Sequence, residues 1–130
     1  MPSIFTRIIA GEIPSYKVAE DAHYIAILDV FPLKRGHVLV IPKIENDYIF
    51  DLDDERLSAL TVFAKKVAVG MKKTLPCARI GVAVIGLEVP HTHIHLIPMD
   101  SVQDLNFGNP KLRFTAEEME ATAAAIRAQL

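Results

Sequence analysis

Histidines alternate with other residues at positions 91–97, where the sequence reads HTHIHLI. In a β-strand, successive side chains point to opposite faces, so this spacing predicts that the imidazoles of His91, His93 and His95 share one face. Neutral imidazole is a nucleophile, a proton carrier and a metal ligand. The run therefore predicts catalysis or a metal site, and a chance cluster of solvated histidines is the remaining alternative.

Composition narrows the classes of protein that could use such a run. The chain has 130 residues, 51% of them hydrophobic and 23% charged, which is typical of one globular domain covering residues 1–130. The net charge of −2 offers no basic surface for a nucleic-acid polymer or a membrane. The lone Cys77 cannot form an internal disulfide, and the opening residues lack a cationic segment followed by an apolar run. We therefore expect a cytoplasmic protein that acts on a small molecule.

The amino-terminal half contains the elements that must position the histidines. Ser3 is a candidate N-cap for a short helix that ends before Gly11. Residues 23–28 and 37–41 are rich in Ile, Val and Leu, which predicts two buried strands joined by the turn at 31–36. We expect these strands to pair antiparallel.

The carboxy-terminal half alternates helix and strand. Apolar residues recur at helical spacing after the N-cap candidate Asp53, which predicts a main helix to about residue 73. Residues 79–85 and 91–97 are predicted to form a second hairpin. Residues 99–130 are predicted to be an irregular connector to 113 and a peripheral helix, with Thr115 and Glu118 as a capping box. The fold class is α+β on an antiparallel sheet of about five strands.

Four sequence blocks in this order resemble the histidine triad (HIT) superfamily, in particular its small phosphoramidase-like branch. The blocks are IF with IIAGEIP in residues 4–14, ED with ILDVFP in residues 20–32, GHVLVIPK at residues 36–43, and HTHIHLI at residues 91–97. The resemblance implies the HIT-like fold, with a short first helix, a main central helix and an additional C-terminal helix. It also implies hydrolysis or transfer at the α-phosphate of a purine nucleotide conjugate, such as a phosphoramidate or a dinucleotide, without a cofactor or a metal.

The resemblance assigns roles to individual positions. It makes His93 the nucleophile that forms a nucleotidyl-histidine intermediate, with His91, His95 and His37 as the other catalytic histidines. Asp29 corresponds to the residue that binds the ribose hydroxyls, although an Asp after a strand is also typical of a turn cap. The apolar pocket around the base corresponds to Ile4, Phe5, Ile8, Ile27 and Val30, which are equally core candidates.

The phosphate loop departs from the family pattern. Gly86 is its remaining loop glycine, and Glu88 stands where a hydroxyl is expected. A carboxylate beside a phosphate repels it unless the carboxylate is turned away, protonated or paired with a histidinium. This departure leaves two alternatives to the enzyme: a nucleotide-binding or interaction module with little catalysis, and a metal site on the three-histidine strand. The resemblance further implies a homodimer formed through the main helix and an edge strand.

Overall fold

The helices begin where the sequence supplies an N-cap. In the computed structural model, which describes residues 2–130, Ser3, Asp53 and Thr115 each accept a hydrogen bond from the backbone N–H three residues later. Each helix follows its cap directly: α1 Ile4–Ile9, α2 Asp54–Thr74 and α3 Ala116–Arg127. The predicted capping box of Thr115 and Glu118 is confirmed. None of these helices is long and apolar enough to cross a bilayer.

The strands form one antiparallel sheet in the order β1-β2-β3-β5-β4. Their bounds are β1 Lys17–Glu20, β2 Tyr24–Leu28, β3 Val38–Pro42, β4 Arg79–Ala83 and β5 Ile94–Met99. Both predicted hairpins are confirmed, since β2 pairs with β3 and β4 with β5. The fold class is therefore as expected: α+β with five antiparallel strands.

Each face of the sheet has its own apolar cluster. On one face, Val38 and Val40 of β3 pack with Ile94 and Leu96 of β5 beneath α2 and α3. On the other face, the buried residues Phe5, Ile25, Ile27, Leu39 and Ile41 pack together beneath α1. Because both faces of β2 and β3 are covered, every residue of these two strands is buried. This explains why their sequences are continuously apolar instead of alternating.

Three predicted elements differ from the structure, and one strand was not predicted. The strand predicted at 91–97 begins only at Ile94, and it continues through Pro98, which lies opposite Ile80. The strand predicted at 79–85 ends at Ala83, and β1 was not expected. The last helix is not peripheral: three of its residues are buried in the main core, Met119, Ala123 and Ile126.

Candidate active site

Two different elements position the triad histidines. His95 lies within β5 opposite Leu39, on the face of the sheet that α1 covers. His91 and His93 lie in the segment just before the strand. The loop that follows β3 holds this segment through two hydrogen bonds. Thr92 N–H donates to the Asn46 carbonyl at 2.6 Å, and Asn46 Nδ2 donates to Thr92 Oγ1 at 2.9 Å. The backbone of residues 91–93 therefore lies outside the β-ladder, yet the rings of His91, His93 and His95 remain on one side.

The rings form a row that includes Phe5 and His37. Neighbouring ring centroids lie 5.2 Å apart for His37 and His95, and 4.9 Å apart for His95 and His93. Phe5 of α1 lies 4.9 Å from His93 and 5.7 Å from His91. The structure thus brings all four predicted histidines together, and it adds Phe5 as the ring that separates His91 from His93.

His91 is enclosed and has no nitrogen left for a ligand. Its side chain is fully buried. Nε2–H donates to the Pro42 carbonyl at 2.8 Å, so Nδ1 accepts the hydrogen bond from the Ser3 hydroxyl at 2.7 Å. Burial lowers the pKa of His91, in agreement with this neutral tautomer. His91 therefore joins the triad to the start of α1 and is not placed to touch a substrate, unlike the catalytic role that the resemblance implies for it.

Glu45, which no sequence motif indicates, stabilises this connection between His91 and the start of α1. Its Oε1 accepts from Ser3 N–H at 2.7 Å and from the Thr6 hydroxyl at 2.6 Å. These bonds lower the pKa of Glu45, with the Thr6 hydroxyl contributing most. The Ser3 hydroxyl lies 3.2 Å from Thr6 Oγ1 and 2.7 Å from His91 Nδ1, and it donates to the nearer acceptor, His91.

His93 leaves Nε2 without a hydrogen-bond partner among residues 2–130, and this nitrogen is not enclosed. Its Nδ1 lies 2.7 Å from the backbone carbonyl of His91, which can only accept, so Nδ1 carries the proton. Nε2 is therefore the unprotonated nitrogen of the neutral ring. The residue is 8% exposed, whereas His91 is 0% exposed. This is the arrangement that a nucleophilic imidazole needs.

A backbone amide at the other end of the row determines the tautomers of His37 and His95. Leu33 N–H donates to His37 Nδ1 at 3.0 Å, so His37 carries its proton on Nε2. That Nε2–H donates to His95 Nδ1 at 3.0 Å, which leaves the proton of His95 on Nε2. His95 therefore offers an N–H group beside the lone pair of His93.

Both members of this pair are neutral near pH 7. Burial, with a smaller contribution from the neighbouring His95, lowers the pKa of His37 to about 3. Burial likewise lowers the pKa of His95 to about 4. The 3.6 Å approach of Asp29 Oδ2 to His37 Nε2 is consequently a contact with a neutral ring and not an ion pair.

Asp29 caps a turn, which is one of the two roles considered for it. Its Oδ1 caps the turn by accepting from Phe31 N–H at 2.9 Å. Its Oδ2 faces the His37 ring. Burial raises the pKa of Asp29, and the nearby charge of Glu88 acts in the same direction. Glu88 is exposed and forms no ion pair with a histidine among residues 2–130, and within the site its charge acts on Asp29.

The apolar candidates divide into two groups. Phe5 and Ile27 are buried, and Ile8 packs against the same cluster. Ile4 and Val30 are 49% and 55% exposed, so the interpretation of these two as core residues is wrong. Gly86 has φ +77°, a conformation that a non-glycine residue rarely adopts, so it is required for the turn after β4.

Phe107 is part of the site although no local pattern indicated it. It lies in the connector after β5, and its ring centroid is 4.8 Å from that of His95 and 6.4 Å from that of His37. An aromatic residue in an irregular segment carries no sequence signal for such a contact. The connector therefore contacts the His37 end of the row through the Phe107 ring.

The donor set argues against a metal at this end of the row. One ligand atom each from Asp29, His37 and His95 lies within 4.8 Å of the others. His37 Nδ1 already accepts from a backbone N–H, so its Nε2 could bind a metal only if the neutral ring lost its one N–H proton and became an anion. His91 has no free nitrogen either. The chemistry of these rings fits proton and phosphate binding better than metal ligation.

Comparison with known proteins agrees with this geometry. A family model described as "HIT domain" matches residues 10–102. An uncharacterised HIT-like protein of Mycoplasma genitalium is 39% identical over 100 residues, covering 73% of this chain and 71% of that protein. An adenosine 5'-monophosphoramidase of Schizosaccharomyces pombe is 33% identical over 133 residues, covering 100% of this chain and 99% of that protein.

A solved structure extends the similarity to the fold. The crystal structure of a HIT-like protein of Bartonella henselae has a TM-score of 0.85 and 33% identity, and the match covers 98% of this chain and 96% of that one. The family match includes His37, His91, His93 and His95. The chain therefore belongs to the HIT domain family.

Proposed function

We propose that this chain is a nucleotide hydrolase that cleaves the bond between the α-phosphate of a purine nucleotide and its leaving group, with His93 as the covalent nucleophile. The hydrogen bond from His93 Nδ1 to the His91 carbonyl carries the proposal, because it leaves Nε2 unprotonated at an accessible edge of the row. The similarity to an adenosine 5'-monophosphoramidase supports a phosphoramidate as the substrate to test first.

In the first step, His93 Nε2 attacks the α-phosphorus. The new N–P bond forms while the P–N bond of the phosphoramidate breaks, and the electron pair of the broken bond goes to the leaving nitrogen. The His93 ring becomes a cation, which the His91 carbonyl stabilises through Nδ1–H. Water supplies the proton of the leaving nitrogen.

His95 acts in this step as a hydrogen-bond donor to a phosphoryl oxygen. With a pKa of about 4 it is uncharged at pH 7, and loss of its Nε2 proton would create an unfavourable anion. Leu33, through His37, holds the donor in place. The His95 and His93 ring centroids are 4.9 Å apart, which supports the binding of one phosphate group by donor and nucleophile together.

In the second step, the hydroxide equivalent left by the first water attacks phosphorus on the opposite side from His93. The N–P bond breaks, its electron pair returns to Nε2, and the nucleoside monophosphate is released. Over both steps one water is consumed, so that phosphoramidate and water give nucleoside monophosphate and ammonia.

We further propose that Asp29 binds the ribose hydroxyls through Oδ2, while Oδ1 keeps its bond to Phe31 N–H. The side chain is 19% exposed, which leaves this oxygen accessible. Asp29→Asn should weaken binding of a ribonucleoside monophosphate by roughly tenfold and leave the 2',3'-dideoxy form unaffected. Equal loss for both ligands would show that Asp29 only supports the turn.

The nucleophile is tested with adenosine 5'-phosphoramidate. His93→Ala should lower turnover by at least about a thousandfold, as loss of a covalent nucleophile does. Wild-type protein quenched during turnover should gain the mass of one nucleoside monophosphate, and His93→Ala should not. His23→Ala is the matched control, because it removes an exposed histidine outside the row.

Two results would contradict the proposal. A nucleotidyl adduct of normal yield on His93→Ala would place the nucleophile elsewhere. Tight nucleotide binding by wild-type protein without turnover would instead favour a binding module, for which the altered loop around Glu88 provides a reason.

A further inference from the structure

The row of histidines lacks positive charge where an anionic phosphate has to bind. His37 and His95 are neutral near pH 7, and Asp29 and Glu88 bring carboxylates to the same end of the site. Neutral N–H donors bind phosphate less strongly than charged ones do. A cation from another part of the chain would therefore complete the site.

The connector after β5 brings a lysine to this position. Leu112 N–H donates to the Pro32 carbonyl at 2.8 Å, which attaches the connector to the β2–β3 turn. Phe107 rests against the His95 ring at 4.8 Å. Lys111 Nζ donates to the Phe107 carbonyl at 2.7 Å and lies 5.5 Å from the centre of the Phe107 ring. The ammonium group thus lies over the Phe107 ring, which itself contacts His95.

The charge of Lys111 is available for a ligand. The lysines Lys17, Lys34 and Lys43 each form an ion pair with a carboxylate. The hydrogen-bond acceptor of Lys111 among residues 2–130 is instead a neutral carbonyl, and its side chain is exposed. Its field still reaches the site, since it lowers the pKa of His37, His95 and Asp29.

We propose that Lys111 is a phosphate-binding residue of this active site, whose ammonium group leaves the Phe107 carbonyl to bind an anionic oxygen of the substrate phosphate. The inference rests on the proposed function and adds a cation to it. Lys111 would supply the positive charge that the loop around Gly86 and Glu88 does not provide. It would distinguish phosphorylated nucleosides from nucleosides.

The test compares binding of AMP and adenosine by calorimetry. Lys111→Met should weaken AMP binding by about tenfold and change adenosine binding by less than about twofold, because only AMP carries the phosphate. Lys111→Arg should retain most of the AMP affinity. Lys72→Met is the matched control, since Lys72 is an exposed lysine of α2, which packs on the opposite face of the sheet.

The outcomes separate the two proposals. If wild-type protein prefers AMP to adenosine and Lys111→Met keeps that preference in full, Lys111 does not bind phosphate and the proposed function stands. If wild-type protein binds AMP no better than adenosine, phosphate is not recognised and both proposals fail. Equal thermal unfolding midpoints of the variants would show that lost AMP affinity does not come from lost folding.

Discussion

The neutral pair of His37 and His95 predicts a steep loss of stability between pH 7 and pH 5. An unfolded histidine has a pKa of about 6.5. Burial in the folded chain lowers this pKa to about 3 for His37 and to about 4 for His95. The unfolded state therefore binds more protons in this window, so the stability that is present above pH 6.5 is lost as the pH falls.

The magnitude follows from the two pKa values of each group. Between pH 7 and pH 5 an unfolded histidine takes up most of one proton while the folded one takes up almost none. The free energy of unfolding should fall by about 2 kcal/mol for each of the two rings, or about 4 kcal/mol together. His91 acts in the same direction, and Asp29 acts in the opposite direction because its pKa is raised.

Urea unfolding followed by far-ultraviolet circular dichroism at pH 7, 6 and 5 measures this dependence. His95→Gln should reduce the difference between pH 7 and pH 5 by about 2 kcal/mol, whatever its stability at pH 7. His23→Gln, which removes an exposed histidine outside the row, is the control. If the pH dependence is the same in His95→Gln as in the wild type, folding does not lower the pKa of His95, and the neutral tautomer derived for this ring is wrong.

Three further outcomes test other parts of the site. Glu45→Ala should lower turnover by about tenfold, because it releases Ser3 from the His91 ring. Glu12→Ala, which removes a surface carboxylate near α1, is the control and should not lower turnover. Equal turnover of Glu45→Ala and the wild type would contradict the connection from Glu45 through Ser3 to His91. Glu88→Ser should raise phosphoramidate turnover by roughly threefold if its charge repels substrate, and an unchanged KM would show that it points away. Light scattering at micromolar concentration should give the mass of a dimer, as the resemblance implies, and a monomer mass would refute this.

The sequence predicts the elements that have local signals. Ser3, Asp53 and Thr115 mark the helix starts because an N-cap acts on the next three residues only. Strand β1 was not predicted because Val18 alone among its four residues is buried. Its register with β2 is also irregular. A half-covered edge strand of four residues provides no clear periodicity.

Long-range contacts account for what the sequence could not predict. Strand β5 begins at Ile94 and not at the predicted His91, because Thr92 is hydrogen-bonded to Asn46, a partner 46 residues away. Phe107 reaches His95 through the fold of the connector, and nothing in its neighbours indicates this contact. The four histidines could be predicted as a group from one run and one family block, but their separate roles could not.

Those roles differ because each ring has a different partner at Nδ1. The Ser3 hydroxyl donates to His91, the His91 carbonyl accepts from His93, and His37 donates to His95. Identical side chains two residues apart thus become an anchored ring, a ring whose Nε2 carries a lone pair, and an N–H donor. Because the first and last partners come from α1 and the β2–β3 turn, the chemistry of the run depends on elements far from it in sequence. A substitution at Ser3 should therefore disturb the His93 end of the site, and one that displaces Leu33 N–H should disturb the His95 end.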